Sequence, residues 1–269
     1  ARLLLDALGC ERIELSDGEA GVFPHPPEPV AEHLTDLCER VRSTGAAIGF
    51  AQDPDADRLA IVDERGRFIG EEYTLVLAAR ALLSSRRDKG GVVAANLSTS
   101  RMIDDVAAAH GVEVMRTPVG EANVVAGMRA AGERCVLGGE GNGGVIWPDV
   151  CWIRDSVSAM ALVLALLTRE EVALSELIGS LPRYAIVKQK VAIREGLAER
   201  AIDAVQQRWR GGSIDLQDGV RVDFPDRKSW VQVRASNTEP IIRIIAEGPE
   251  QSDAESLVSE CRGAIEAIG

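Results

Sequence analysis

From residue 71 to 181, short apolar runs alternate with longer segments of helical period, and few architectures satisfy that alternation. The order is helix "EEYTLVLAARALLSS", strand "GVVAAN", helix "RMIDDVAAAHG", strand "VEVMR", helix "EANVVAGMRAAG" and strand "RCVLGGE". A long helix, "DSVSAMALVLALLTRE", follows, and the carboxylate of Asp155 can cap its first turn. Strands that alternate with helices predict an α/β fold, a mostly parallel sheet with helices on its faces. "LPRY" at 181–184 reads as a linker.

The flanks differ. Residues 1–70 read as helix "ARLLLDALGC", strand "RIEL", a loop with "FPHPPEP", helix "PVAEHLTDLCERVRSTG", strands "AAIGFA" and "RLAIVD", and a turn at "ERGR". That is part of an α/β unit. Residues 182–269 group their strands: "YAIVKQKVAI", a helix around "LAERAIDAVQQRW", then "GVRVDF", "SWVQVR" and "IIRIIAEG", closed by helix "DAESLVSECRGAIEAIG". Grouped strands predict an α+β domain. The expected divisions are therefore 1–70, 71–181 and 182–269. Ala1 falls inside a helical pattern, so the expectation is that an N-terminal portion is absent from this chain.

With 46% hydrophobic and 27% charged residues, the 269-residue chain can build ordinary globular cores. Its longest apolar run, "MALVLALL", is far short of the ~20 residues that span a bilayer, so no membrane partner is expected. A net charge of 30 − 42 = −12 argues against nucleic acid, while small phosphorylated ligands stay open if a few cations are focused on them. The five cysteines form no C-x-x-C pair and read as reduced thiols, which points to the cytoplasm. The three histidines lie in separate segments, against a His-rich zinc site.

In "FAQDPDADRLAIV", Asp53, Asp55 and Asp57 occupy alternate positions with Arg58 directly behind. If the backbone stays extended past "GFAQ", their carboxylates converge on one side and suit a hard cation such as Mg²⁺. A solvated acidic loop is the plain alternative. An EF-hand is rejected: Glu64 fits position 12, but Arg58 stands where glycine is needed, and strands flank the loop. A metal-dependent phosphatase of the haloacid-dehalogenase type, with Asp53 as nucleophile, stays as an alternative, although it expects Thr or Val where Asp57 stands.

Two further loops carry chemistry. In "GGEGNGGVIWP", 138–148, Asn142-Gly143 is a hairpin-turn signal, while Glu140 and Asn142 also suit sugar hydroxyls. In "VRASNTEPIIRI", 233–244, Ser236, Asn237 and Thr238 form a polar turn between Arg234 and Arg243. Hydroxyls, successive N–H groups and two guanidiniums make a phosphate clamp, against the plainer reading of a turn ended by Pro240.

"DPDADR" resembles the D-G-D-[AG]-D-R metal loop of the α-D-phosphohexomutase superfamily, with Pro54 for the usual glycine. "GEGNGG" resembles its sugar loop G-E-x-[SN]-G-H, with Gly144 for the frequent histidine. "RASNTEP" resembles its phosphate loop R-x-S-x-T-E-P. "RTPVGEANV", 116–124, is similar to R-T-x-V-G-[DE]-x-x-V of the phosphoglucosamine mutase branch. The loops occur in the family's order, and the resemblance covers nearly the whole chain.

The resemblance implies the end of domain 2, a complete α/β/α domain 3 with a mixed or parallel sheet, and a domain 4 of TATA-box-binding-protein-like α+β form. It implies Mg²⁺ on Asp53, Asp55 and Asp57, with Arg58 approaching the transferring phosphate. Glu140, Asn142, Thr117 and Gly120 would bind the sugar; Arg234, Ser236, Asn237, Thr238 and Arg243 would bind its phosphate. The reaction implied is interconversion of hexose 6-phosphate and hexose 1-phosphate through a 1,6-bisphosphate, with glucosamine phosphate ranked before mannose and glucose phosphates. The family's nucleophile is a phosphoserine in a T-A-S-H-N-P-like loop of domain 1, and no such sequence occurs here; "NLSTSR", 96–101, lacks the flanking His and Asn. The expectation is that this chain alone is inactive. A non-catalytic sugar-phosphate-binding fragment is the other alternative.

Overall fold

The computed structural model describes residues 1–15, 26–86, 90–194, 196–209, 212–236 and 239–268. The chain divides into two compact units, one of residues 1–116 with 120–181 and one of 182–269 with 117–119.

The first unit opens with α1 (Arg2–Ala7), a 3₁₀ turn at Ala31–His33, and α2 (Thr35–Thr44), which Gly45 ends in the left-handed region at φ 69°. Strands β1 (Ile48–Gln52) and β2 (Leu59–Asp63) pair antiparallel, Ile48 opposite Asp63 and Gln52 opposite Leu59. The expected strand "RIEL" belongs to no strand. A strand needs a neighbour for its ladder, and here Arg12 is tied locally to Asp6 at 2.6 Å. Of "FPHPPEP", residues 23–25 lie outside the described residues.

After α3 (Glu72–Ser85) come β3 (Val92–Asn96), α4 (Met102–Ala109), β4 (Glu113–Thr117), α5 (Glu121–Ala131), β5 (Cys135–Glu140), β6 (Gly144–Ile146), α6 (Ser156–Glu170) and α7 (Leu174–Gly179). The sheet order is β4-β3-β5-β6, with β3 parallel to β5 and β5 antiparallel to β6. The sheet is therefore mixed, because the Asn142-Gly143 turn folds β6 back along β5. All five residues of β3 are buried, as expected for a strand covered on both faces. A Cβ on Gly138 would lie 2.2 Å from the Met128 sulfur, so glycine there permits the close approach of α5 to β5. Asp155 caps α6, accepting from the N–H groups of Val157 and Ser158 at 3.0 Å each. The short helix α7 carries too few turns to register in the sequence pattern.

The second unit contains β7 (Ala185–Ala192), α8 (Ala198–Arg208), β8 (Ser213–Asp215), β9 (Val220–Phe224), β10 (Ser229–Ala235), β11 (Ile241–Gly248) and α9 (Gln251–Glu266). Its sheet runs β7-β11-β10-β9-β8, with every neighbouring pair antiparallel. Strand alternation sends Val231, Val233, Ile242 and Ile244 to one core with Ala201, Val205, Leu257 and Cys261 of the two helices. The opposite face is polar: Trp230 donates to Glu247 at 2.9 Å, and the Arg221 guanidinium lies 4.1 Å from the centre of the Trp230 ring. This is the α+β arrangement expected, with β8 added at one edge. No helix of the described residues is long and apolar enough to cross a membrane.

Candidate functional site

Strand β1 ends at Gln52, and the acidic triplet that follows is a turn, not the extended run expected. Asp53 closes this turn itself. Its Oδ1 accepts from the N–H groups of Asp57 and Arg58 at 3.0 Å each, and its Oδ2 accepts from Arg58 Nε at 2.8 Å. Its backbone carbonyl accepts from the Ala56 N–H at 3.0 Å. Ala56 stands at φ 57°, a left-handed position that a small side chain tolerates best. Asp53 is buried against Arg58; Asp57 lies beside it, with Oδ1 3.7 Å from Arg58 Nε and Oδ2 turned to Arg154; Asp55 is exposed.

Burial opposes ionisation of Asp53, but hydrogen bonds from Arg58 and Asp57 outweigh it and hold the carboxyl below its usual range. Burial and the neighbouring Asp53 push Asp57 up to about 6, against the pull of Arg154.

The turn is fastened to the loops around Glu140 and Asp155. The Ala56 carbonyl accepts from the Ser156 N–H at 3.2 Å and from its hydroxyl at 2.6 Å, and Gln52 donates to the same hydroxyl at 2.6 Å. On the other side, the Leu59 N–H donates to the Gly143 carbonyl at 3.1 Å. Acidic turn and Asn142-Gly143 turn thus lie side by side.

Glu140 is buried and held by three donors. Oε1 accepts from Asn96 Nδ2 at 2.6 Å and the Gly120 N–H at 3.1 Å, and Oε2 accepts from Arg154 Nη1 at 2.8 Å. Asn142 spends its Oδ1 on the Gly144 N–H at 3.2 Å. Thr117 is buried, and its hydroxyl donates to the Pro118 carbonyl at 3.1 Å. Gly120, at φ 118°, precedes α5, a conformation few other residues adopt. "NLSTSR" serves structure: Asn96 Oδ1 accepts from the Ser98 N–H and Thr99 hydroxyl at 2.9 Å each, and Arg116 donates to the carbonyls of Asn96 and Thr99.

In the second unit, Arg234 of β10 stands directly opposite Arg243 of β11, and Lys190 of β7 stands opposite Arg243 on its other side. Paired residues share a sheet face, so three cations form a row. Arg234 Nη1 donates to Asp218 Oδ2 at 3.0 Å, and the Ser236 N–H donates to the Ile241 carbonyl at 3.0 Å. Asn237 and Thr238 lie outside the described residues.

The sequence reading missed Arg154, Glu121, Asn96 and Asp218. Arg154 bridges Asp57, Glu121 and Glu140, but it follows the exposed Val150 and Ile153, and no motif marks it. Its neighbour Asp155, the visible cap, was the only local signal.

The three aspartates offer oxygen alone, the donor chemistry that Mg²⁺ takes, so the residues fit that ion in kind. In the described residues no three acids, histidines or cysteines are grouped to hold a metal; Asp53 and Asp57 share Arg58, and Asp57 also faces Arg154.

Models of the phosphoglucomutase/phosphomannomutase family match as alpha/beta/alpha domain II over residues 1–66, alpha/beta/alpha domain III over 70–184 and the C-terminal domain over 186–264. A probable phosphoglucosamine mutase of Methanopyrus kandleri is 41% identical over 96% of the chain and 56% of its own length. A phosphoglucomutase/phosphomannomutase of Thermococcus kodakarensis is 38% identical over 95% of the chain and 55% of its own length. A solved phosphoglucomutase/phosphomannomutase family protein from Burkholderia thailandensis superposes with a TM-score of 0.85 at 29% identity, over 99% of this chain and 57% of that one. The chain spans little more than half the length of the curated relatives it matches.

Proposed function

The chain belongs to the phosphoglucomutase/phosphomannomutase family, and on that premise we propose that it carries the metal, sugar and phosphate loops of a phosphohexomutase. Such an enzyme is an isomerase that interconverts a hexose 6-phosphate and a hexose 1-phosphate through the 1,6-bisphosphate. The observation that carries the reading is that one guanidinium, Arg154, reaches both Asp57 and Glu140. A carboxylate of the acidic loop and one of the sugar loop therefore lie within the span of a single side chain, as a site joining metal and sugar requires.

Asp53, Asp55 and Asp57 would hold Mg²⁺, which supplies charge neutralisation to a transferring phosphoryl group. Arg58, oriented by Asp53, offers its outer nitrogens to the same charge. Glu140, fixed by Asn96, Gly120 and Arg154, and Asn142 beside it would orient the ring. In the second unit Arg234 and Arg243, with Ser236, Asn237 and Thr238, would grip a phosphate. The protein would work in the cytoplasm on phosphorylated hexoses or hexosamines.

Glucosamine phosphate is the first substrate on this reading, on the strength of "RTPVGEANV" and Asn142; mannose and glucose phosphates follow. Asp53 as a phosphatase nucleophile is disfavoured, because both its oxygens already accept hydrogen bonds and it is buried. No serine loop of the family type occurs in these 269 residues, so the chain tested by itself binds sugar phosphate without isomerising it.

The test is calorimetric titration of this chain with glucosamine 6-phosphate and Mg²⁺, alongside assays of isomerisation and of phosphate release from p-nitrophenyl phosphate. Binding without turnover is expected. Isomerisation by this chain would overturn the expected inactivity. Phosphate release abolished by Asp53→Asn would favour the hydrolase.

A further inference from the structure

Arg154 stands one residue before the Asp155 cap, and its side chain is only 17% exposed. Every edge of its guanidinium is engaged, each with an acid from a different segment. Nη2 pairs with Asp57 of the acidic turn, Nη1 donates to Glu140 at the end of β5 at 2.8 Å, and Nε donates to Glu121 at the start of α5 at 3.2 Å. The Arg154 backbone N–H donates to Glu121 as well, at 3.2 Å. Arg154 faces three acids, and at Asp57 it is joined by a second cation, Arg58, whose Nε lies 3.7 Å from Asp57 Oδ1.

The path of the arm is built into the sequence. A Cβ on Gly144 would fall 2.4 Å from Arg154 Cδ and 3.2 Å from its Cγ, so only glycine there leaves room for the arm beside β6. The anchors are also unequal. Glu140 and Glu121 sit on a strand and a helix of the sheet, whereas Asp57 sits in a turn that Asp53, Ser156 and Leu59 fasten by its backbone. Asp57, which also lies 3.7 Å from Arg58 Nε, can release Arg154 without the turn losing its backbone bonds.

We propose that Arg154 is a positioning residue that exchanges its contact with Asp57 for a divalent cation taken up by the acidic turn, while it keeps Glu140 and Glu121. This rests on the reading of the acidic turn as a Mg²⁺ loop. A carboxylate cannot hold a guanidinium and a dication at short range without setting the two cations against each other. The guanidinium therefore yields Asp57, and Glu140 stays aimed by Arg154, Asn96 and Gly120. Arg154 thus couples cation uptake to the sugar loop.

Magnesium titration of the wild-type chain, Arg154→Gln and Arg154→Lys tests this by calorimetry, with the guanidinium Nε–H signal of Arg154 followed by NMR and assigned by its loss in Arg154→Gln. Deleting the competing charge should tighten Mg²⁺ binding about tenfold, equivalent to ~1.4 kcal/mol. Arg154→Lys should return the affinity toward wild type, and the Arg154 Nε–H signal of the wild type should shift as Mg²⁺ is added. Gly144→Ala displaces the arm without removing charge, and it should tighten binding too, which keeps the test open if Arg154→Gln fails to fold. Equal or weaker Mg²⁺ binding in both Arg154→Gln and Gly144→Ala, or a signal unmoved at saturation, overturns the exchange. If neither the wild type nor any variant takes up Mg²⁺, the metal reading falls and the exchange with it.

Discussion

Arg58 grips Asp53 twice: its Nε donates to Oδ2 at 2.8 Å and its backbone N–H donates to Oδ1 at 3.0 Å. The carboxylate is buried, so each bond is made away from water, and its loss leaves donors unsatisfied. Asp53→Asn replaces an acceptor with an amide facing a guanidinium. The variant should lose about 1–3 kcal/mol of stability, read as a lower urea midpoint at unchanged slope. An unshifted midpoint would show that the turn does not depend on this carboxylate.

Gly143 lies at φ 90°, and a Cβ there would sit 2.7 Å from the Leu59 carbonyl oxygen. Strain and collision act together, pushing the Asn142-Gly143 turn away from β2. Gly143→Ala should destabilise the first unit by ~1–3 kcal/mol in thermal melts. It should also weaken the hydrogen-exchange protection of the Leu59 amide, which donates to Gly143. Wild-type protection at Leu59 would contradict the contact.

Arg234 and Arg243 face one another across β10 and β11, with Asp218 as a local counter-charge on Arg234. A charge-assisted bond to an anion contributes about 1.5–3 kcal/mol, so Arg234→Gln should weaken binding of glucosamine 6-phosphate about tenfold or more. Asp218→Asn frees Arg234 and should strengthen it. Competition titrations with the sugar phosphate check both signs; unchanged affinity in Arg234→Gln would remove this loop from the binding reading.

Cys261 is fully buried in the core of the second unit, and burial pushes its thiol up to about 12, while Cys135 is pushed up to about 11. Both thiols stay protonated in the folded chain when the unfolded chain, with thiols near 9, begins to ionise. A raised folded pKa means stability is fully present below pH 9 and is lost as pH climbs toward 11 and 12. At pH 8, thiol reagents should label Cys261 only on unfolding. Rapid labelling of native Cys261 would contradict its burial.

Much of the architecture was legible because its signals are local. The helix–strand alternation of 71–181 announced β3, β5 and their helices, and Asn142-Gly143 announced the turn that makes the sheet mixed. Asp155 announced the start of α6. "RIEL" misled because strand propensity is not a ladder partner. The triplet misled in another way: alternation assumes extended backbone, whereas Asp53 folds the chain back on its own amides. Arg154 was hidden because its meaning lies in acids 97, 33 and 14 positions away. Nothing in the residues beside it carries that information.

Asp55 is the exposed member of the triplet, so its removal costs the fold little and isolates its role as a ligand. Calorimetric titration of Mg²⁺ into the wild-type chain and into Asp55→Asn tests the account most directly. The prediction is a single Mg²⁺ site in the wild type, weakened about tenfold or more in Asp55→Asn, with both proteins melting at the same temperature. Identical isotherms, or no uptake of Mg²⁺ by the wild type, would contradict it.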